Sequence, residues 1–273
     1  MDHPAHKTFL VHKIHSSLHY FSWDSIFDRK YGLEHKSVRY FFNGYRIYIN
    51  HCLLFIAREI IREPENKMKN DQFQETEIKF LIDNLSIFEK RVKDIGAVLH
   101  QARIYELNLR FDTPDQRLTK KFQVLRLRQD QSVHLTFKGP ADPFSEVSVR
   151  QEIEFEVSDL ASAHQFLEAL GYQVTITYEK YRTTYHLGNT EIVLDELPYG
   201  DFVEIEGPDI PSIKNIANIL KLDWKDRIKL SYLAIFYQLK EKFNLKASNL
   251  LFSDLENCKF SLDELFPGFN NGE

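Results

Sequence analysis

The chain has 273 residues, 43% hydrophobic and 27% charged, with 35 Lys+Arg against 40 Asp+Glu and a net charge of −5. This is ordinary globular composition with length for one large or two small domains, and two distant cysteines, Cys52 and Cys258, exclude a disulfide scaffold and fit a reducing, cytoplasmic setting. Residues 1–70 carry a net +4 and the remainder a net −9, so the acidic body is a poor general binder of nucleic-acid backbone.

Residues 1–67 hold seven of the eleven histidines and sustain no period of 2 or 3.6. The apolar run Cys52–Ala57 is far too short to span a bilayer, and the first residues lack the pattern of a signal peptide. Met68, one of only two methionines, stands seven residues before Glu75. Residues 1–70 are therefore expected to be an appended segment, with translation of the working protein starting at Met68. The alternative is an accessory helix pair from Val38 to Ile61.

In Glu75-Thr76-Glu77-Ile78-Lys79 the charged residues alternate with others, so a strand places Glu75, Glu77 and Lys79 on one face. Ser86-Ile87-Phe88-Glu89 reads as a capping box, and Phe88, Val92, Ile95 and Leu99 keep helical spacing, with Gly96 marking the end. A strand follows over about Arg103–Phe111, then a turn at Asp112–Asp115. Val124–Arg128 puts Arg126 and Arg128 on one face, Ser132–Lys138 breaks at Gly139-Pro140, and Arg150–Val157 lines up Arg150, Glu152, Glu154 and Glu156. Asp159 caps a second helix that Gly171 ends.

Lys180 and Arg182 share the next strand face, Gly188-Asn189 turns the chain into Thr190–Glu196 with Asp195, and Phe202–Glu206 carries Glu204 and Glu206. The order is strand, helix, four strands, helix, three strands, with connections short enough for antiparallel pairing. From Ile210 the chain turns helical: a short helix over Ile213–Leu220, then a longer one capped by Asp223 with Ile228, Tyr232, Ile235 and Leu239 as its stripe, and a weak segment at Leu250–Phe266.

The apolar partners of these charged faces, Ile78, Leu125, Leu127, Ile153, Phe155, Val203 and Ile205, need cover, which the amphipathic helices supply if they pack outside a closed sheet. The charged faces then line the inside. Seven acids (Glu75, Glu77, Glu152, Glu154, Asp195, Glu204, Glu206) meet seven bases (Lys79, Arg126, Arg128, Lys138, Arg150, Lys180, Arg182). That balance suits a triphosphate with bound Mg²⁺, since arginines grip phosphate oxygens and carboxylates grip the metal. His134, His186 and Trp224 read as ordinary side chains, Tyr232 as helix packing, and Tyr181 and Tyr185 as outward core.

The ordered series Glu75–Lys79, Tyr105–Leu118, Leu125–Arg128, Phe137–Gly139, Arg150–Glu154, Lys180–Arg182 and Leu194–Glu206 resembles the CYTH domain, the triphosphate tunnel metalloenzyme family. The resemblance implies an α+β fold: an eight-stranded antiparallel β-barrel over 71–208 with helices packed outside, followed by a C-terminal helical extension over 209–273. It also implies a site in which Glu75, Glu77 and Glu206 hold Mg²⁺ or Mn²⁺, with Glu152, Glu154 and Glu204 near a second ion and Asp195 lining the tunnel as a metal or base-side carboxylate. Lys79, Arg126, Arg128, Lys138, Arg150, Lys180 and Arg182 would bind phosphates, with Glu75, Glu77 and Lys79 at the centre of catalysis.

The expected substrate is a small triphosphate such as tripolyphosphate, thiamine triphosphate or ATP, hydrolysed by a monomer or homodimer with no nucleic-acid or membrane partner. Cyclisation of ATP to cyclic AMP and non-catalytic polyphosphate binding are the alternatives. Leu222–Arg227 resembles a tail of class IV adenylyl cyclases, whereas Asp71-Gln72-Phe73-Gln74 lacks the His-Phe pair those cyclases carry before the opening motif.

Overall fold

The computed structural model describes residues 37–42, 45–50, 73–262 and 264–266. The chain divides into two compact units, Met1–Met68 and Lys69–Glu273.

In the first unit, β1 (Ser37–Phe42) and β2 (Tyr45–Asn50) form an antiparallel pair, Val38 opposite Ile49 and Tyr40 opposite Ile47. A helix pair starting at Val38 is thereby corrected. Both segments are crowded with aromatic and β-branched residues, which lose side-chain freedom in a helix and suit a pleated strand. The Cys52–Ala57 run and the Met68 start lie outside the described residues.

In the second unit the order is β3 (Gln74–Ile82), α1 (Leu85–Asp94), β4 (Val98–Asp112), the short α2 (Arg117–Lys120), β5 (Val124–Gln129), β6 (Val133–Lys138), β7 (Ser148–Val157), α3 (Leu160–Ala169), β8 (Gln173–Leu187), β9 (Thr190–Leu197) and β10 (Gly200–Glu206). After these come α4 (Ile210–Ile219), a 3₁₀ turn at Trp224–Asp226, α5 (Tyr232–Phe243) and α6 (Phe252–Leu255). The eight strands close antiparallel in the ring β10-β3-β7-β6-β5-β4-β8-β9. Among the described residues no helix is long and apolar enough to cross a membrane.

Period-two alternation decides which side each residue takes. On the outside, Ile78, Phe80, Ile192, Leu194, Val203 and Ile205 are buried beneath Phe88 and Val92 of α1 and Ile213, Ile216 and Ala217 of α4. Across the ring, Leu160, Ala163 and Leu167 of α3 cover Leu109, Phe111, Leu125 and Leu127. The outer face of β7 is less covered than expected, with Ile153 36% and Phe155 54% exposed. A ten-residue helix such as α3 is only about 15 Å long, and α3 lies over β5.

Local signals differ in detail from the expectations. Asn84, not Ser86, caps α1, its side chain accepting from Ile87 N at 3.0 Å, and Leu99 belongs to β4. Gly96 and Gly171 follow α1 and α3 at φ +85° and +88°, a left-handed conformation that glycine adopts without strain. The single helix expected after Asp223 is broken. Asp223 caps only the 3₁₀ turn, and Ser231 caps α5 by accepting from Ala234 N at 3.2 Å. The chain breaks because β3 pairs with β7 only over Gln74–Glu77, which leaves its later residues an open edge. Ile228 fills that edge, its N–H donating to Lys79 O at 2.8 Å.

α5 then lies against inward-facing residues, so Tyr232, Leu233, Ile235, Phe236 and Leu239 pack with Leu81, Ile176, Tyr178, Leu197 and Phe202. This cluster plugs part of the ring's interior.

Asp112, at the end of β4, organises the following turn. Its carboxylate accepts from Thr113 N (2.7 Å), Leu118 N (2.9 Å), Thr119 N (2.9 Å) and Thr119 Oγ1 (2.7 Å). Asp112→Ala is expected to lower unfolding stability by about 1–2 kcal/mol, because four part-buried donors lose a shared charged acceptor. An unchanged urea midpoint would remove Asp112 from this role.

Among the described residues, the three apolar clusters draw on residues 78–266, all in the second unit. A chain beginning at Met68 is therefore expected to melt within a few degrees of the full chain in calorimetry. A collapse of its transition would show that the first unit is needed to hold the ring.

Candidate functional site in the ring interior

One cavity of about 960 Å³ occupies the ring, within the size range of small-molecule sites. Of the charged residues expected inside, Glu75, Glu77, Lys79, Arg126, Arg128, Lys138, Arg150, Glu152, Glu154, Lys180, Arg182, Glu204 and Glu206 all line it. Asp195 is the exception: it is fully buried beneath Lys180, Arg182 and Tyr232, which line the cavity in its place.

The lining is a mesh of opposite charges from neighbouring strands. Glu75 on β3 accepts from Lys138 Nζ at 2.6 Å and Arg150 Nε at 2.9 Å, while Arg150 Nη2 reaches Glu77 Oε1 at 3.2 Å. Lys79 Nζ lies 3.6 Å from Glu77 and 3.4 Å from Glu204. Arg182 Nη2 donates to Glu204 Oε2 at 2.6 Å. Across the ring, Arg126 and Arg128 converge on the two oxygens of Glu154 at 3.2 and 3.0 Å, and Thr136 Oγ1 donates to the same carboxylate at 2.6 Å. Lys138 also pairs with Glu152 at 3.1 Å.

The titrations follow from this mesh. Burial alone would raise Glu75, but Lys138 and Arg150 hold it down at about 2. Burial would likewise raise Glu204, yet Lys79 and Arg182 keep it well below the usual carboxylate range. Glu206 differs, having no ion pair among the described residues. Burial, then the carboxylates of Glu75, Glu191 and Glu77, push it up to about 8. Glu206 lies opposite Glu77 on one side and Glu191 on the other, so three carboxyl groups crowd this stretch of wall. Among the described residues, no three of His, Cys, Asp and Glu are gathered as a cation cage, since Glu75 and Glu77 are turned to the cations beside them.

Asp195 is bonded on both oxygens: Arg182 Nε and Nη2 donate at 2.8 and 2.6 Å, Lys180 Nζ at 3.1 Å and Tyr232 OH at 2.9 Å. It holds Arg182 and Lys180 in place. Burial, then Asp195, raises the Tyr232 hydroxyl well above its ordinary pKa, so it remains a donor.

The sequence profile of the CYTH domain matches residues 74–220, just over half the chain. The chain belongs to the CYTH domain family. Among solved structures, a candidate adenylate cyclase from Vibrio parahaemolyticus is 26% identical with TM-score 0.55, covering 60% of this chain and 97% of its own. A protein from Pyrococcus horikoshii is 26% identical with TM-score 0.51, covering 60% and 98%. A protein from Pyrococcus furiosus is 27% identical with TM-score 0.50, covering 58% and 98%. No curated protein sequence matches the chain.

Several residues of this CYTH interior were missed by the sequence reading, Glu191 beside Glu206 among them. Glu106, Asn108 and Arg110 alternate along β4 on the inward face, with Glu106 within 3.5–3.8 Å of Lys180, Arg128 and Arg182. The signal was present in Glu106-Leu107-Asn108-Leu109-Arg110, the same alternation used for the other strands. Tyr232 reads as helix packing in sequence because its hydroxyl partner comes from β9.

Replacing Asp195 by Asn should destabilise the CYTH unit by about 3 kcal/mol, since Lys180 and Arg182 lose their shared buried counter-charge. Denaturant unfolding checks this, and a midpoint equal to the parent's would mean that Glu106 and Glu204 suffice.

Proposed function

We propose that the ring is a tunnel for a triphosphate and a divalent metal ion, and that it hydrolyses the triphosphate. The observation that carries this reading is a cavity into which six strands project cations around an acidic stretch of wall. Such a lining offers many charge-assisted donors to a compact polyanion at once.

Arg126, Arg128, Lys138, Arg150 and Arg182 exchange their carboxylate partners for phosphate oxygens, with Lys79 between Glu77 and Glu204 as a further donor. Because the cations are already held on rigid strands, little ordering is left for binding to impose. The carboxylates of Glu75, Glu77 and Glu206 fit Mg²⁺ or Mn²⁺: all are hard oxygen donors, and Glu206, raised to about 8 with no ion pair among the described residues, gains a counter-charge when a cation displaces its proton. When bound there, the ion supplies neutralisation of phosphate charge and activation of water. In hydrolysis water adds to a phosphorus, one P–O–P bond breaks, and the diphosphate leaves with its new negative charge among the cations. A second reading, cyclisation of ATP with release of pyrophosphate, is favoured by the 26% identity to the Vibrio protein.

Incubation with tripolyphosphate and with ATP in Mg²⁺ or Mn²⁺ is expected to release orthophosphate, with activity lost on chelation and restored by either ion. Cyclic AMP and pyrophosphate as the products would select the second reading, and intact substrates would remove both. Glu77→Gln should abolish turnover while the melting temperature stays near the parent's. Full activity in saturating Mg²⁺ and Mn²⁺ would take Glu77 out of the site.

Arg128→Ala and Arg182→Ala should each weaken tripolyphosphate about tenfold in calorimetry with Ca²⁺, and the double change should be less than additive because both grip one ligand. Near-parental affinity in both single variants would mean that the arginines do not meet on one ligand.

A further inference from the structure

The connection from β4 to β5 forms part of the cavity wall, through Gln116, Thr119, Phe122 and Gln123. Phe122 sits there at φ +56° with its ring 80% exposed. A left-handed backbone is uncommon for a bulky aromatic residue and costs conformational energy. An exposed ring returns almost none of that cost through burial. The fold itself therefore gains little from a phenylalanine at this position, while the cavity gains an accessible aromatic surface. Tyr237 of α5 contributes a second ring to the same cavity, 50% exposed.

Arg110 lines the cavity with these rings. Among the described residues it is the tunnel cation without an ion pair, and its buried Nε has no hydrogen-bond partner. In the β4–β5 register it stands directly opposite Arg126. Burial, together with Arg126 and Arg150, lowers its pKa from the ordinary guanidinium value. An anion placed here relieves both the missing partner and the repulsion between neighbouring cations. A positively charged ring would not.

We propose that Phe122 and Tyr237 form a subsite for the organic part of the substrate, with Arg110 on the adjoining phosphate, so that the tunnel favours a triphosphate ester bearing a flat, uncharged ring, of the nucleoside class, over bare tripolyphosphate. This rests on the triphosphate reading above and adds what that chemistry leaves open, namely the group attached to the phosphates. Stacking on Phe122 is tolerant of base identity because every base presents a π face. The same place disfavours a triphosphate carrying a cationic thiazolium ring, which would meet Arg110 and Arg126.

The test is calorimetry on the full chain in Ca²⁺ with three ligands: the β,γ-imido analogue of ATP, thiamine triphosphate and tripolyphosphate. The parent is expected to bind the ATP analogue most tightly. Phe122→Gly removes the ring at a position whose φ of +56° suits glycine, so this variant should melt no lower than the parent. It should reduce the preference for the ATP analogue over tripolyphosphate about tenfold, and Tyr237→Ala should do so in the same direction. Arg110→Gln should weaken the ATP analogue about tenfold. An unchanged preference in both ring variants overturns the subsite, as does tighter binding of thiamine triphosphate than of the ATP analogue. If tripolyphosphate binds and the ATP analogue does not, the subsite falls while the tunnel stands. If none of the three binds, both readings fall.

Discussion

Charge compensation inside a closed sheet is the constraint on which the rest of this structure depends. An ion moved from water into a protein interior costs several kcal/mol unless it is paired or hydrated. This ring turns at least eight acidic and eight basic side chains inward or just behind its wall, counting Glu106 and Arg110. Opposite charges consequently face each other from strand to strand, as in Lys79 opposite Glu204, Glu75 opposite Arg150, Lys138 opposite Glu152 and Glu106 opposite Lys180. The apolar residues, displaced to the outside by the same alternation, then require helices there. Fold and site are two results of one period-two pattern.

Much of the fold was legible because that pattern is local. The order of eight strands and two intervening helices can be read from alternation and turn residues alone, and thirteen of the fourteen expected interior charges do line the cavity. What could not be read depends on contacts between distant segments. Ile228 keeps helical spacing with Tyr232 in sequence, but the open edge of β3 holds it in an extended bridge. Asp195 has the parity of a lining residue, yet a tyrosine from α5 and two cations from β8 take its oxygens. Ser86 resembles a cap, whereas Asn84 accepts the hydrogen bond because the helix begins earlier.

α5 changes the meaning of the interior. A ring lined by charges from end to end would hold mostly water, but the cluster around Phe202, Phe236 and Leu239 fills part of it with close-packed apolar side chains. Lys79 and Lys180 are buried beside this cluster, their ammonium groups 5.3 and 5.6 Å from the Tyr232 ring centre. Cations in such a place interact more strongly with an anion than they would in open solvent. The plug therefore sharpens the electrostatics of the remaining cavity as well as closing it.

The ring order also bears on how the chain is made. β3 is the first strand of the ring to emerge, yet its main partner, β10, begins at Gly200. At ordinary ribosomal speeds the intervening residues, about 120 of them, take roughly 6–25 s to synthesise. Through that interval β3 is a strand without its full complement of neighbours, the kind of segment that pairs with other nascent chains. Glu75, Glu77 and Lys79 mark most of one face of it with charge, which works against such pairing. The residues that later line the tunnel thus act first as guards of an unfinished edge.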